Sequence, residues 1–533
     1  MISKSIKNPS FNIILAFFTL SSIIVNYFFS IRFEENDDIA MLLISSGEYS
    51  GTIDNHLVYI NFIFGSLLNT FYSFLPGLEW YSIAFVALNT LSISLIAKVI
   101  FRSSYSAIFK ATLLIFLFSI FINFSVILQF TRTAAILSIA GLSVIYNSKH
   151  KYVGALIFIL GSLIRFEMTI LILVISFPLI LISTINIKDY FFNKNFRIIA
   201  FTVFISFFCK IADYAYYNMD SEWKSYMEFN KLRGKINDNP NVVYNNLNLP
   251  DNISLENYHL LINAHTNPIA ISYVELEQIY QTIDEKSFWE KTSNIKKITK
   301  HYGHVLLIIL VITLLLLYQN KEQRFKILLT LLIFVGLLAY ISIDSTLKGR
   351  IVYPALYSAF LVLIYLNNNR TTGFINLMIA SLVLCYSGDL LHTSYKLQEK
   401  NKSLSDKFKK HTELINEHLN RDNTLIPIGA AYRIAHNNPF SVSSTFPSQK
   451  ILFSGWLTNS PFNKDKFDSF KYYIDGYSLL VKPGSAQACS VLIKSSILQE
   501  TNIDVFPKTV LNKHKISIVE FLTDSTKTNV GEE

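Results

Sequence analysis

The stretch FNIILAFFTLSSIIVNYFFSIRFEENDD, residues 11–38, joins a long apolar run to an acidic cluster. Phe11 to Ile31 is uncharged and long enough to cross a bilayer, which takes about 20 apolar residues in a helix. It is longer than a secretory h-region and has no small-residue cleavage motif, so it reads as a retained membrane helix. Glu34, Glu35, Asp37 and Asp38 then stand at its mouth. Carboxylates are costly near hydrocarbon and suited to acid/base work at a membrane surface.

Outward from this stretch the apolar runs repeat. The 533 residues are 51% hydrophobic and only 16% charged, with mean hydropathy +0.35, too little charge for a soluble surface of this size. Candidate spans are Phe11–Ile31, Trp80–Phe101, Ala111–Asn123, Val126–Tyr146, Tyr152–Ile164, Met168–Ile185, Ile198–Tyr214, Val305–Tyr318, Phe325–Ile343, Ile351–Leu366 and Phe374–Leu390. The segment Leu57–Leu75 either spans or lies along the interface. Charge separates the two choices. With it interfacial, Lys4/Lys7, Arg102/Lys110, Lys149/Lys151, Lys188/Lys194/Arg197, Lys321/Arg324/Lys326 and Arg370 all fall on the cytoplasmic side, as the positive-inside rule requires.

The sequence therefore predicts an α-helical polytopic membrane protein of about eleven transmembrane helices. Its N-terminus is expected in the cytoplasm and its C-terminus outside, in a cell inner or plasma membrane. The net charge of +9 belongs to these short loops and implies no nucleic-acid partner. Residues 1–390 form the expected membrane domain, with outer loops 32–79 and 215–301. The second loop should hold amphipathic helices broken at Asp238-Asn239-Pro240 and Leu249-Pro250-Asp251. Residues 391–533 are expected as a small extracytoplasmic α/β domain. It opens with a charged helix to about Leu419, followed by strands at Asn423–Ala430, Tyr472–Lys482 and Lys515–Leu522 and a helix at Gln487–Gln499. Cys209, Cys385 and Cys489 suggest no disulfide framework.

This topology puts every candidate chemical group on the outer side. Asp37 and Asp38 come first, because the polar residues Asp54, Asn55 and His56 follow them closely enough to build a site. Glu34 and Glu35 read more simply as a solvated loop end. Arg132, Arg165 and Arg350 lie near the outer ends of spans, and guanidinium suits phosphate through two parallel hydrogen bonds. Their plain alternative is pairing with Glu167 or Asp344. His301 and His304 are one helical turn apart, with His259 and His265 in the long loop, but their spacing matches no zinc motif. A GxxxxGK[ST], GxGxxG or GxSxG pattern is absent from the sequence. Ser454-Gly455-Trp456 reads as a turn with an aromatic anchor.

This order of parts resembles the GT-C-fold glycosyltransferases, integral membrane enzymes that use polyprenyl-phosphate or polyprenyl-diphosphate sugar donors. The residues that carry the likeness are Asn36-Asp37-Asp38, then Asp54-Asn55-His56-Leu57 entering the interfacial segment. Many relatives have His-Pro-Pro there, and this chain lacks both prolines. The resemblance implies a first-loop carboxylate, Asp37 or Asp38, as base. It implies Arg350, Arg165 and Arg132 on the donor phosphate, with Asp54, His56 and Glu167 lining the acceptor cleft. The implied partners are a polyprenyl-phosphate-linked sugar, a cell-surface glycan or lipid acceptor, and membrane lipids. Two aspartates without a third ligand fit either a Mg²⁺- or Mn²⁺-dependent reaction or a metal-free one. Related readings are an O-antigen or capsule polymerase and a lipid-linked-oligosaccharide flippase. A flippase is disfavoured because prolines are rare in the spans and polar groups sit at their outer edge.

Overall fold

A computed structural model describes residues 9–181, 193–237, 271–344, 348–367 and 373–419, with shorter stretches of 239–258 and 424–523. Seven of its helices are long and apolar enough to cross a membrane. They are α1 (Phe11–Phe28), α4 (Trp80–Arg102), α5 (Ala107–Val126), α9 (Lys194–Asn218), α11 (Ser293–Gln319), α12 (Arg324–Asp344) and α14 (Phe374–Leu419). Their outer faces expose Phe17, Leu20, Phe204, Phe208, Leu314, Leu332 and Leu377, as lipid-facing helices do. These features are those of a helical membrane protein.

Shorter helices complete the array. They are α2 (Asn36–Ser46), α3 (Phe62–Phe74), α6 (Phe130–Asn147), α7 (Lys151–Ile164), α8 (Phe166–Ile175), α10 (Ser221–Asn237) and α13 (Gly349–Tyr365). Every residue of α6 from Phe130 to Ile145 is buried. Small residues explain how: a Cβ on Gly141 would meet the Gly154 carbonyl at 2.7 Å, and one on Gly161 would meet that of Ala134 at 2.9 Å. Backbones approach this closely only where side chains are small. Helix α3 occupies the ambiguous Leu57–Leu75 segment and is about 20 Å long, too short for the roughly 30 Å hydrocarbon layer.

Hydrogen bonds join helix ends and loops, Lys98 and Lys151 among them, at one end of the array. Lys98 donates to the Pro9 carbonyl, Lys151 to Asn195, and Tyr105 to the Ile364 carbonyl. The acidic loop lies at the opposite end, where β1 (Arg32–Phe33) pairs in parallel with β2 (Ile127–Leu128). Lys4, Lys7, Lys188 and Arg370 lie outside the described residues.

Helix α14 continues without a break past Leu390, merging the last expected span with the charged stretch behind it. At 1.5 Å per residue it is about 70 Å long, more than twice a bilayer core. Its inner face packs along α5, and its Asn401 amide caps the carbonyls of Ser30 and Val126. Beyond it, β3 (Thr424–Pro427), β4 (Tyr477–Val481), β5 (Phe506–Lys513) and β6 (Ile516–Leu522) form one sheet in the order β3-β4-β6-β5. The β3–β4 pair is parallel and the others antiparallel. Helix α15 (Ala486–Thr501) follows β4. Strand β5, FPKTVLNK, was not foreseen, because Pro507 and two lysines hide its alternation.

The C-terminal segment shares the membrane part's core. Leu425, Ile451, Phe453, Trp456, Leu480 and Ile518 belong to the same buried cluster as α1 and α6. Helix α10 ends at Asn237, just before the expected break at Asp238-Asn239-Pro240, of which Asp238 and Pro240 lie outside the described residues.

Candidate functional site

The acidic loop is fixed at both sides. Glu34 donates its backbone N–H to the Leu128 carbonyl, extending the β1–β2 pairing, and α2 begins two residues later. Asp37 and Asp38 occupy its first turn, where the helix dipole favours negative charge. The two aspartates then part company. Asp38 is fully buried, its Oδ1 accepting from the Tyr81 hydroxyl at 3.0 Å and the Phe130 N–H at 3.2 Å. Its Oδ2 is buried without a hydrogen-bond partner. Burial pushes the Asp38 carboxyl well above the usual carboxylate range, and the charge of Asp37 adds to this. The bonds from Tyr81 and Phe130, and the Arg350 cation, pull the other way without cancelling it. Asp37 stays half-buried at the edge of the site.

Three arginines surround this loop. Arg132, buried in α6, donates from Nε to Glu34 at 2.9 Å and from Nη1 to the Asn123 amide oxygen at 3.2 Å. Its guanidinium also lies over the rings of Phe124 and Tyr353. A buried arginine needs such satisfaction. Arg350, in the first turn of α13, stands 3.6 Å from Glu35, an ion pair too long to be a hydrogen bond. Its Nη1 is buried without a hydrogen-bond partner. Arg165 pairs with Glu167 at 3.1 Å, and Lys210 reaches the same carboxylate at 3.4 Å. The side chain of Asp344 lies outside the described residues.

The second polar segment is held as firmly. Asp54 Oδ1 bonds both the backbone N–H and the Nδ1 of His56 at 2.7 Å. The imidazole is sandwiched between Trp223 of α10, at 4.2 Å and 4°, and Tyr216 of α9, at 4.8 Å and 26°. Tyr216 donates to the Asn55 side chain, and the Asn55 amide donates to Ser66. Val58 has φ of 62°, and the Tyr59 N–H bonds the Leu57 carbonyl across it at 2.6 Å, a γ-turn. A β-branched residue with positive φ is strained, and strain persists only where the surroundings over-determine it. Here the Tyr217 hydroxyl accepts from the Val58 N–H, and Asp213 Oδ1 accepts from the Phe62 N–H.

The two segments meet. The Arg165 guanidinium lies over both Tyr59 and Phe130, whose rings stack 6.2 Å apart. Phe130 is also the residue whose N–H holds Asp38. The Asp38, Arg165 and Asp54–His56 neighbourhoods are therefore linked through Phe130 and Tyr59. Glu34 and Glu35, just before α2, hold Arg132 and Arg350 beside the same loop.

Several contributors escaped the sequence reading. Tyr81 lies inside a span, and its tie to Asp38 has no local signal. Asp213 did carry one: a carboxylate in the apolar run Ile198–Tyr214 is expensive unless it has a task. Trp456, read as an ordinary turn anchor, is buried with its ring 5.2 Å from Tyr59, and its carbonyl accepts from the Tyr226 hydroxyl. His259 and His265 lie outside the described residues. Among the described residues no group of three or more His, Cys, Asp or Glu stands ready to hold a metal.

Comparison with protein-family models, with curated proteins and with solved structures finds no match to this chain.

Proposed function

We propose that this chain is a GT-C-like membrane glycosyltransferase that moves a sugar from a polyprenyl-phosphate-linked donor to a cell-surface glycan or lipid acceptor. The observation that carries the reading is the meeting, at the end of the array opposite its basic loops, of carboxylates and guanidiniums from α2, α6, α8 and α13. Such a pairing of a proton acceptor with anion-stabilising cations is what glycosyl transfer from a phosphate needs. About eleven spans, counting the shorter apolar helices, with the N-terminus cytoplasmic and a small extracytoplasmic α/β domain, fit the same arrangement.

Asp37 is the base in this reading. Asp38 is buried, raised in pKa and already bound to Tyr81 and Phe130, so it shapes the site and does not take the proton. The acceptor oxygen attacks the anomeric carbon as its proton passes to Asp37. The bond from that carbon to the phosphate oxygen breaks, and polyprenyl phosphate leaves as an anion, with inversion. Arg350, whose Nη1 lacks a hydrogen bond, receives the phosphate charge, with Arg132 and Arg165 behind it. Asp54, His56 and Glu167 belong to the acceptor side.

The test is glycan and lipid-linked-sugar profiling of cells carrying wild type, Asp37→Asn or a deletion at matched protein levels. Asp37→Asn should reproduce the deletion's defect with undecorated acceptor accumulating. A deletion that alters the glycan while Asp37→Asn does not would defeat this mechanism and favour the polymerase or flippase readings.

A further inference from the structure

Outside the site, one surface carries cations and no evident partner. His304 of α11 faces Asp389 of α14, Nε2 to Oδ2 at 3.3 Å, and both side chains are exposed, 59% and 43%. His304 lies five residues inside the apolar segment Thr299–Gln319, about 8 Å below its end. An exposed ionisable pair at the end of an apolar segment points to function.

The same face continues as a cationic stripe. Lys300 and Lys296 lie one and two turns above His304, at the i−4 and i−8 positions, and both are exposed. On α14, Lys396 and Lys400 follow Asp389 at i+7 and i+11 and are exposed as well. These four lysines form no ion pair among the described residues. Glu399 is the other carboxylate on this stretch of α14, and it is engaged by Tyr395. Gly303 and Gly388, which precede the His–Asp pair, have open space where a side chain would stand. Below the pair the lining turns apolar, with exposed Leu307 and Leu310 on α11 and Leu384 on α14.

The other face of α11 turns toward the interior. Tyr302, beside Gly303, meets Tyr353 edge-on at 5.6 Å, and Tyr353 lies under the Arg132 guanidinium. A ligand matched to this surface has an anionic head among the lysines and a long apolar tail below it.

We propose that the groove between α11 and α14 binds the phosphate headgroup of a polyprenyl-phosphate lipid and admits it sideways from the bilayer. Basic pockets between membrane helices recognise lipid phosphates in this way. The phosphate-lipid chemistry rests on the groove alone, and the polyprenyl tail rests on the transferase reading above.

The experiment is photolabelling of the full chain in phosphatidylcholine nanodiscs with a benzophenone-tagged polyprenyl phosphate. Label should map to residues 296–310 and 384–400. Unlabelled undecaprenyl phosphate should compete, whereas phosphatidylglycerol and inorganic phosphate should not. A Lys300→Glu/Lys396→Glu double variant should lose labelling at least about tenfold. Gly303→Leu, which fills the groove without changing charge, should lose it too. Lys321→Glu/Lys326→Glu, at the other end of the array, should label as wild type. Undiminished labelling in the first two variants, or equal competition by phosphatidylglycerol, overturns the proposal. Charge-dependent labelling together with normal cell glycans in Asp37→Asn keeps the groove and removes the transferase. Charge-independent labelling with a glycan defect in Asp37→Asn does the reverse.

Discussion

The acidic loop and the α11–α14 groove hold their charges in opposite ways. In the loop, Arg132 is buried against Glu34 and Asn123, Asp38 is sealed under Tyr81, and His56 is clamped between Trp223 and Tyr216. In the groove, Lys296, Lys300, Lys396 and Lys400 stand exposed. The first arrangement is preorganised, since its groups are oriented by folding and need no reorganisation to act. The second is an attracting surface whose cations keep their freedom until an anion arrives. On the proposed reading the two are complementary, one a place to collect a lipid-borne phosphate and the other a rigid place to use it.

The contrast is broken most severely at Asp37. If the loop is a rigid catalytic site, Asp37→Asn should lower transfer about 100-fold or more with the fold intact, the range expected for losing a general base. Rates measured on reconstituted protein, beside thermal unfolding in detergent, check both halves.

Next in size is the packing that holds the loop still. Gly141→Val places a branched side chain against the Gly154 carbonyl and the Phe158 backbone nitrogen, which cannot rotate away. It should cost about 1–3 kcal/mol, read as a lower unfolding midpoint. Gly303→Leu, in open space on the groove side, should leave that midpoint near wild type.

Asp38 sharpens the contrast through pH. Its carboxyl is raised by folding, so it binds its proton more tightly in the native than in the unfolded chain. The stability it contributes is full at low pH and is lost as pH rises from about 4 through the folded value. Asp38→Asn, which mimics the protonated acid in shape, should flatten that decline and keep transfer activity. A variant as inactive as Asp37→Asn would assign the proton transfer to Asp38 instead.

The smallest effect is expected at Val58. Glycine relieves the strain of a positive φ at about 1–2 kcal/mol while raising the entropy of the unfolded chain by a similar amount. Val58→Gly should therefore shift the unfolding midpoint by no more than a few degrees, despite the lost side chain. A large drop would mean that Val58 is held by its side-chain contacts and not by the bonds around it.

Much of this molecule was legible as sequence, and the reasons are local. Long apolar runs form helices wherever they lie, so the seven long helices fall on expected spans. Strand alternation also marked β3, β4 and β6, while Pro507 and the lysines of β5 masked it. The reach of α14 past Leu390 was missed as one continuous element, because hydropathy changes there but helix propensity does not. In the site, the carboxylates, arginines and His56 were all visible as residues. Their partners were not, since Asp38 meets Tyr81 across 43 positions and Arg132 meets Glu34 across 98.

The sequence by itself determined that this chain is built of apolar helices, and which loops between them collect the charge. Period, length and loop composition carry that information within a window of about 20 residues. Only the tertiary structure decided that two adjacent aspartates differ, one sealed and one at the edge. That difference comes from Tyr81 and Phe130, which approach from distant parts of the chain. Burial and electrostatics depend on what surrounds a group in space, and adjacency in sequence says nothing of it.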